Sequence, residues 1–244
     1  MLEGLYSAAA GMAAQQEQLN AISNDLANES TSGYKSERVA FSDLLYNPVN
    51  MAGTVSTDGA GASATVIGRS EAQGSITETG NPLDLAIEGP GYFEVTRANG
   101  QKALTRNGTF GVDASGTLVN SEGNRLNPSI KLPAGTSTNE VSIAADGTVS
   151  VGTHKLGQIK LVTVTSPEHM LAESGGELTP TAASGAPHPA TGKIHQGALE
   201  ASNVNMAGEL SLMVNTQRSY QMDSTAIQNE SQMMSIANQL RPSS

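Results

Sequence analysis

Hydrophobic residues along the 244-residue chain fall into three textures. In residues 1–28, Leu2, Leu5, Ala9, Met12, Leu19, Ile22 and Leu26 recur at spacings of three, four or seven, the repeat of one helix face. Gln16 and Ser23 interrupt that stripe, and the breaker cluster Ser30-Thr31-Ser32-Gly33 predicts where the helix stops. The same repeat returns from about Asn203 to Leu240, where Met206, Leu210, Met213, Tyr220, Ile227 and Met234 mark a second face. Ile236 and Leu240 extend it, Ser202 or Asn203 is the predicted N-cap, and Arg241-Pro242 predicts the end.

Between the helices the period changes. Short β-prone runs cover Leu83–Glu88, Tyr92–Arg97, Thr117–Asn120, Val141–Ala144, Thr148–Val151 and Gln158–Thr165. Asn99-Gly100, Asn107-Gly108, Ser115-Gly116 and Asp146-Gly147 separate them, and such pairs tolerate the positive φ of tight turns. Met51–Ala64, rich in Ser, Thr, Ala and Gly, reads as an exposed connector, and Ser174–Gly192 as a second loose stretch. The predicted fold is α+β. The N- and C-terminal helices pack together as a coiled-coil-like α domain, and a central antiparallel, mostly β domain lies between them in sequence. The expected divisions are residues 1–32 for the first helix, 33–70 for an extended connector, 71–196 for the β domain and 197–244 for the last helix.

Composition narrows the chemistry. Aromatic residues make up 3% of the chain, so aliphatic side chains must fill the core. The net charge of −10, with the basic residues scattered singly, argues against nucleic acid as a partner. Absence of Cys excludes disulfides and Cys-built zinc sites. The N-terminal apolar stretch lacks a leading Lys or Arg, carries Glu3 and is broken by Gly4, Ser7 and Gly11, so no cleaved secretory signal is expected. No stretch approaches the roughly 18–20 apolar residues of a membrane span, and no membrane insertion is expected.

The four histidines, His154, His169, His188 and His195, show no metal-ligand spacing and sit in turn-rich text. Glu78, Asp84, Glu88 and Glu94 could supply a carboxylate pair for cutting cell-wall glycan, but alternating acids in strands read more simply as a solvated face. A free-standing β-domain adhesin would explain the middle and leave the helices without a purpose. No catalytic residue, metal or cofactor is expected.

Both helical segments are poor in charge. The first carries Glu3, Glu17 and Asp25, the second Glu209, Arg218, Asp223 and Glu230, and Ser, Asn, Gln, Ala and Thr fill the other flanks. Neutral polar faces are far less costly to bury than charged ones. Two readings follow and both stand at this point: a bundle built by many copies of the chain, or an intramolecular hairpin of low-charge helices.

Particular residues add a resemblance. Asn24-Asp25-Leu26-Ala27-Asn28, followed by Thr31-Ser32-Gly33-Tyr34-Lys35 and Phe41, is similar to the N-terminal signature of the flagellar rod and hook proteins. Asp84–Phe93 resembles the segment that opens their β domain, and Leu104–Phe110 their Thr-Arg-x-Gly-x-Phe turn. Leu199–Asn205 and Gln217–Tyr220 are similar to the entry and middle of their last helix. The matches keep their order over the whole chain. Within the family they are most like distal-rod subunits, with proximal-rod subunits second, although distal-rod proteins often carry a longer segment where this chain has only Tyr46–Ser75.

The resemblance implies a structural subunit of the bacterial flagellar basal body rather than an enzyme. It implies export through the flagellar type III apparatus without a cleaved signal, and polymerisation with copies of itself and with other rod and hook subunits into a hollow, torque-transmitting tube. The assembly contacts it implies are Leu2, Leu5, Met12, Leu19, Ile22, Leu26, Asn28, Gly33, Tyr34, Lys35 and Phe41, together with Asn203, Val204, Leu210, Met213, Arg218, Tyr220 and Ile227. Tyr34 and Phe41 are the expected aromatic anchors, or else they cover the chain's own helices.

Overall fold

The computed structural model describes residues 2–44, 47–51, 54–58 and 61–239. The expected helix stop at Arg241-Pro242, the side chain of Leu2 and Leu240 lie outside the described residues. The chain forms two compact units from interleaved segments: Met1–Ala27, Glu37–Ile67 and Asn205–Ser244 in one, Asn28–Ser36 and Gly68–Val204 in the other.

The first unit holds the helices α1 (Leu2–Ala27) and α2 (Met206–Gln239). Among the described residues of α1, Ala14, Ala21, Ile22 and Asp25 are buried. Its C-terminal turn is tied to the next strand, because the Glu37 backbone N–H donates to both Asp25 carboxylate oxygens at 3.0 and 3.2 Å. The cap of α2 differs from expectation. Asn205, not Ser202 or Asn203, accepts from the Gly208 N–H at 3.2 Å through its side chain and from Glu209 N–H at 2.9 Å through its carbonyl. The Asn203 amide is engaged elsewhere, accepting from Ser36 N–H and donating to the Ser70 and Ala72 carbonyls.

Within residues 33–70, expected as an extended connector, the described residues carry strands. Glu37–Asp43 pairs with Ala62–Arg69, and Asn47–Met51 pairs with Thr54–Asp58 as a hairpin. This arm approaches α1 closely: a Cβ on Gly61, whose φ is +98°, would meet the Ala10 methyl at 2.9 Å.

The second unit is antiparallel β throughout. Its main sheet runs in the order Leu171–Ala172, Glu177–Thr179, Lys102–Thr105, Tyr92–Thr96, Arg125–Leu126, Leu118–Asn120, Phe110–Val112, and Leu161–Thr163 also pairs with Tyr92–Phe93. A three-stranded sheet joins Val141–Ile143, Thr148–Val151 and His154–Gln158. Two ribbons bring the end of this unit back to its beginning: Lys193–Gln196 pairs with Leu85–Glu88, and Ala198–Glu200 with Ile76–Glu78. The larger core cluster is aliphatic apart from Phe93 and Phe110, which meet edge to face at 5.1 Å, and a smaller cluster gathers Tyr92, Leu104, Val164 and Leu178.

The turn glycines divide by cause. Gly100, Gly116 and Gly147 have φ of +82° and occupy the left-handed region, as their dipeptides predict. Gly108 serves another purpose: a Cβ there would lie 1.6 Å from the Leu85 carbonyl oxygen, so two backbones touch at this point.

Candidate assembly interface

The two helices run antiparallel in a defined register. A Cβ on Gly4 would fall 3.2 Å from a Glu230 carboxylate oxygen, and one on Gly11 3.3 Å from that of Asp223. Gln15 donates to the same Asp223 oxygen at 2.9 Å. Burial, and then the Asp25 carboxylate, raise the Glu209 pKa above the ordinary glutamate value. Position 4 therefore matches 230, 11 matches 223 and 25 matches 209, with steps of seven or fourteen residues. By that register Thr216, which is buried, falls opposite Gln18, and Ser7, Ala14 and Ala21 fall opposite Ile227, Tyr220 and Met213. Small side chains on α1 admit large ones from α2, so the backbones can approach.

Half of the α2 seam is thus the apolar stripe Met213, Tyr220, Ile227, and half is Glu209, Thr216, Asp223, Glu230. The flanks carry the remaining apolar groups into solvent: Leu210 is 43% exposed, Val214 46%, Met222 64% and Ile236 56%. Phe41 on the arm is 51% exposed. Large apolar side chains thus stay exposed along the 34-residue helix α2.

The β unit holds a second cluster. Lys35 donates to Glu200 at 2.6 Å and to the Ala72 carbonyl at 2.8 Å, and both side chains are almost wholly buried. Arg106 lies 3.3 Å from the other Glu200 oxygen, donates to the Gly89 carbonyl at 2.8 Å, and covers the Tyr92 ring at 5.5 Å. The Tyr92 hydroxyl donates to Glu71 at 2.8 Å, and burial, then Glu71, hold this phenol well above its usual pKa. Burial lowers the Lys35 pKa, and Glu200 acts against that shift. The backbone closes around the charges. Gly33 N–H donates to the Glu200 carbonyl at 2.8 Å, Gly74 N–H to its carboxylate at 3.0 Å, and Asn203 N–H to the Tyr34 carbonyl at 3.3 Å.

Comparison with known proteins addresses the same regions. A profile described as flagella basal body rod protein matches residues 5–35. One for the flagellar hook protein FlgE/F/G D1 domain matches 86–151, and one for the flagellar basal body rod FlgEFG protein C-terminal matches 195–240. The flagellar basal-body rod protein FlgG of Borreliella burgdorferi is 35% identical over 99% of both chains. That of Buchnera aphidicola subsp. Acyrthosiphon pisum is 37% identical over 98% of this chain and all of its own. The chain belongs to the flagellar basal-body rod protein family. It is a FlgG-like, distal-rod structural subunit. The rod protein is also 33% identical to the FlgF of Caulobacter vibrioides over 93% of its length. The two FlgG alignments run over 263 and 264 positions, so these relatives carry residues that the 244-residue rod protein lacks.

Each matched stretch of the rod protein supplies one charge to the buried cluster: Lys35 from the first, Arg106 from the second, Glu200 from the third. Gly33, Tyr34, Lys35 and Asn203 converge there, with Tyr34 only 9% exposed and under the Arg69 guanidinium at 5.9 Å. Asn28 and Val204 are half-buried in the same unit. Leu5, Met12, Leu19, Ile22, Leu26, Phe41, Leu210, Met213, Arg218, Tyr220 and Ile227 belong to the helical unit; among them Ile22 is buried, and Phe41, Leu210 and Arg218 are exposed. Gly4 and Gly11 are small residues that let backbones approach, and Asp223 and Glu230 are among the few helix charges in the sequence; like Arg106 and Glu200, which lie inside the family-like motifs, none of them is among the expected assembly contacts. Acids at heptad spacing on a helix otherwise poor in charge were the available signal for the seam.

The strand acids do not form one solvated face. Asp84 is buried and accepts from Thr79 and Asn81 at 2.6 and 2.9 Å. Glu94 is buried against Lys102 at 2.7 Å and Asn127. Glu88 pairs with His195 on the surface at 2.7 Å. Among the described residues no helix is long and apolar enough to cross a membrane, and no group of three His, Asp or Glu could hold a metal ion.

Proposed function

We infer that this rod subunit polymerises through α1 and α2 into a hollow, torque-transmitting shaft, with copies of itself and other rod and hook subunits as neighbours. It is exported by the flagellar type III apparatus without a cleaved signal, resides in the basal body, and acts without catalysis. The observation that carries this reading is the half-apolar, half-acidic seam of α2 combined with the apolar side chains left in solvent on its flanks. A helix of this kind is incompletely buried by one partner, and further copies would cover it. Leu5, Met12, Leu19, Leu26, Phe41, Leu210 and Arg218 are the contacts favoured by position. Gly33, Tyr34, Lys35 and Asn203 would serve from within the subunit, by fixing the segments that lead to the helices.

The test replaces Leu210, Val214 and Met222 together by Ser in the full chain. Loss of polymer in sedimentation and electron microscopy is expected, with the β-unit circular dichroism unchanged. Normal polymers from this variant would refute assembly through α2.

A further inference from the structure

Lys35 and Arg106 are cations buried side by side, 4% and 5% exposed, and one carboxylate, Glu200, contacts both. Its partner Lys35 is 165 residues earlier in the chain. The segment around Glu200 binds two others. It takes Gly33 N–H on its carbonyl and Gly74 N–H on its carboxylate, while Ala201 N–H donates to the Ser75 carbonyl at 2.8 Å. Asn203 then joins Ser36, Ser70 and Ala72. The fit leaves little slack. A Cβ on Gly33 would lie 2.5 Å from the Arg106 carbonyl carbon, and one on Gly74 1.9 Å from the Ala201 oxygen.

We propose that Glu200 is a closing lock: residues 33–36 and 69–75 are held in the β unit only when the 198–203 segment is seated. Without Glu200 the two desolvated like charges lose the one carboxylate in contact with both and keep only the field of Glu71, which is engaged by the Tyr92 hydroxyl, an arrangement that favours release of the Lys35 strap. The strap follows directly from α1 at Ala27–Asn28, and the closing segment leads directly into α2 at Val204–Asn205. One lock therefore controls the segments that lead to both helices. During synthesis from the N-terminus the closing segment arrives late, so the strap stays open until the chain is nearly complete. The lock acts inside one subunit and does not depend on polymerisation.

Amide exchange on the full-length chain tests this, because the strap and the sheet can be followed separately. In Glu200→Gln, exchange at residues 33–36 and 70–75 should rise about tenfold or more, while Phe93 and Leu104 keep their protection. Lys35→Met, which leaves an Arg106–Glu200 pair, should loosen the same residues less. Where Glu200→Gln also loosens the sheet, adding Lys35→Met should restore protection, because it removes one of the two neighbouring buried cations. Unchanged strap exchange in Glu200→Gln would overturn the lock, as would equal loosening by Lys35→Met or a double variant no better protected than Glu200→Gln.

Discussion

Carboxylates are treated differently in the two units. In the β unit, Glu177 receives Arg97 at 2.7 Å, with Asn120 and Asn124 on its other oxygen, and Glu200 accepts from Lys35 and the Gly74 N–H on one oxygen while the other lies 3.3 Å from Arg106 as an ion pair. In the helix pair, half-buried Asp223 and Glu230 lie against glycines, Asp223 with the single donor Gln15 at 2.9 Å, and the Asp25 carboxylate adds to the raised pKa of half-buried Glu209. A buried charge with its donors in place fixes one arrangement; a carboxylate facing another carboxylate or an unsubstituted backbone leaves the contact weak. The β unit carries its own complement of partners. The helix pair keeps a softer seam and exposes apolar flanks, the feature on which the proposed assembly rests.

The sharpest way to break that comparison is one substitution made in both units. Gly108→Ala should destabilise the β unit by about 3 kcal/mol or more, because the methyl would fall on the Leu85 carbonyl and neither backbone can yield. Denaturant unfolding followed by β-sheet circular dichroism reads this; a loss below about 1 kcal/mol would show that the strands can part. Gly4→Ala should do the opposite. The Glu230 side chain can swing aside, and the gain in helix propensity should stabilise α1 by about 0.5–1 kcal/mol, seen as slower exchange in the first turns of α1. Faster exchange there would mean that the seam is packed as tightly as the sheet.

The smallest effect is set by pH. A carboxyl whose folded pKa lies above its unfolded value binds protons more readily in the folded state. Its penalty is present at neutral pH and disappears as pH falls through the raised folded value to the unfolded 4.5. The helix pair should therefore melt later as the solution is acidified toward that value, followed by far-UV circular dichroism. Glu209→Gln should flatten the dependence, and an unchanged slope in that variant would assign it to other acids.

Local pattern was legible where it reports on local structure. The three-four spacing drew both helices, with the end of α1 and the start of α2 within a few residues of where they fall, and Asn99-Gly100 and Asp146-Gly147 named turns whose glycines are left-handed. Ordered motifs identified the family, because each holds a short backbone shape together with the side chains it needs. The helix cap was misplaced because Ser202, Asn203 and Asn205 are equally good caps in sequence, and the pull of Ser36, Ser70 and Ala72 on Asn203 selects among them.

By itself, then, the sequence determined which residues can share a helix face, where the chain can turn, and that two charge-poor helices flank a β domain. Only the tertiary structure decided what each face meets. It alone set Glu200 between Lys35 and Arg106, Asp84 and Glu94 below the surface, and acids along the α2 seam beside Gly4 and Gly11. Periodicity is a property of neighbours along the chain, whereas burial and charge pairing depend on distances between residues that are remote in sequence and brought together by the fold.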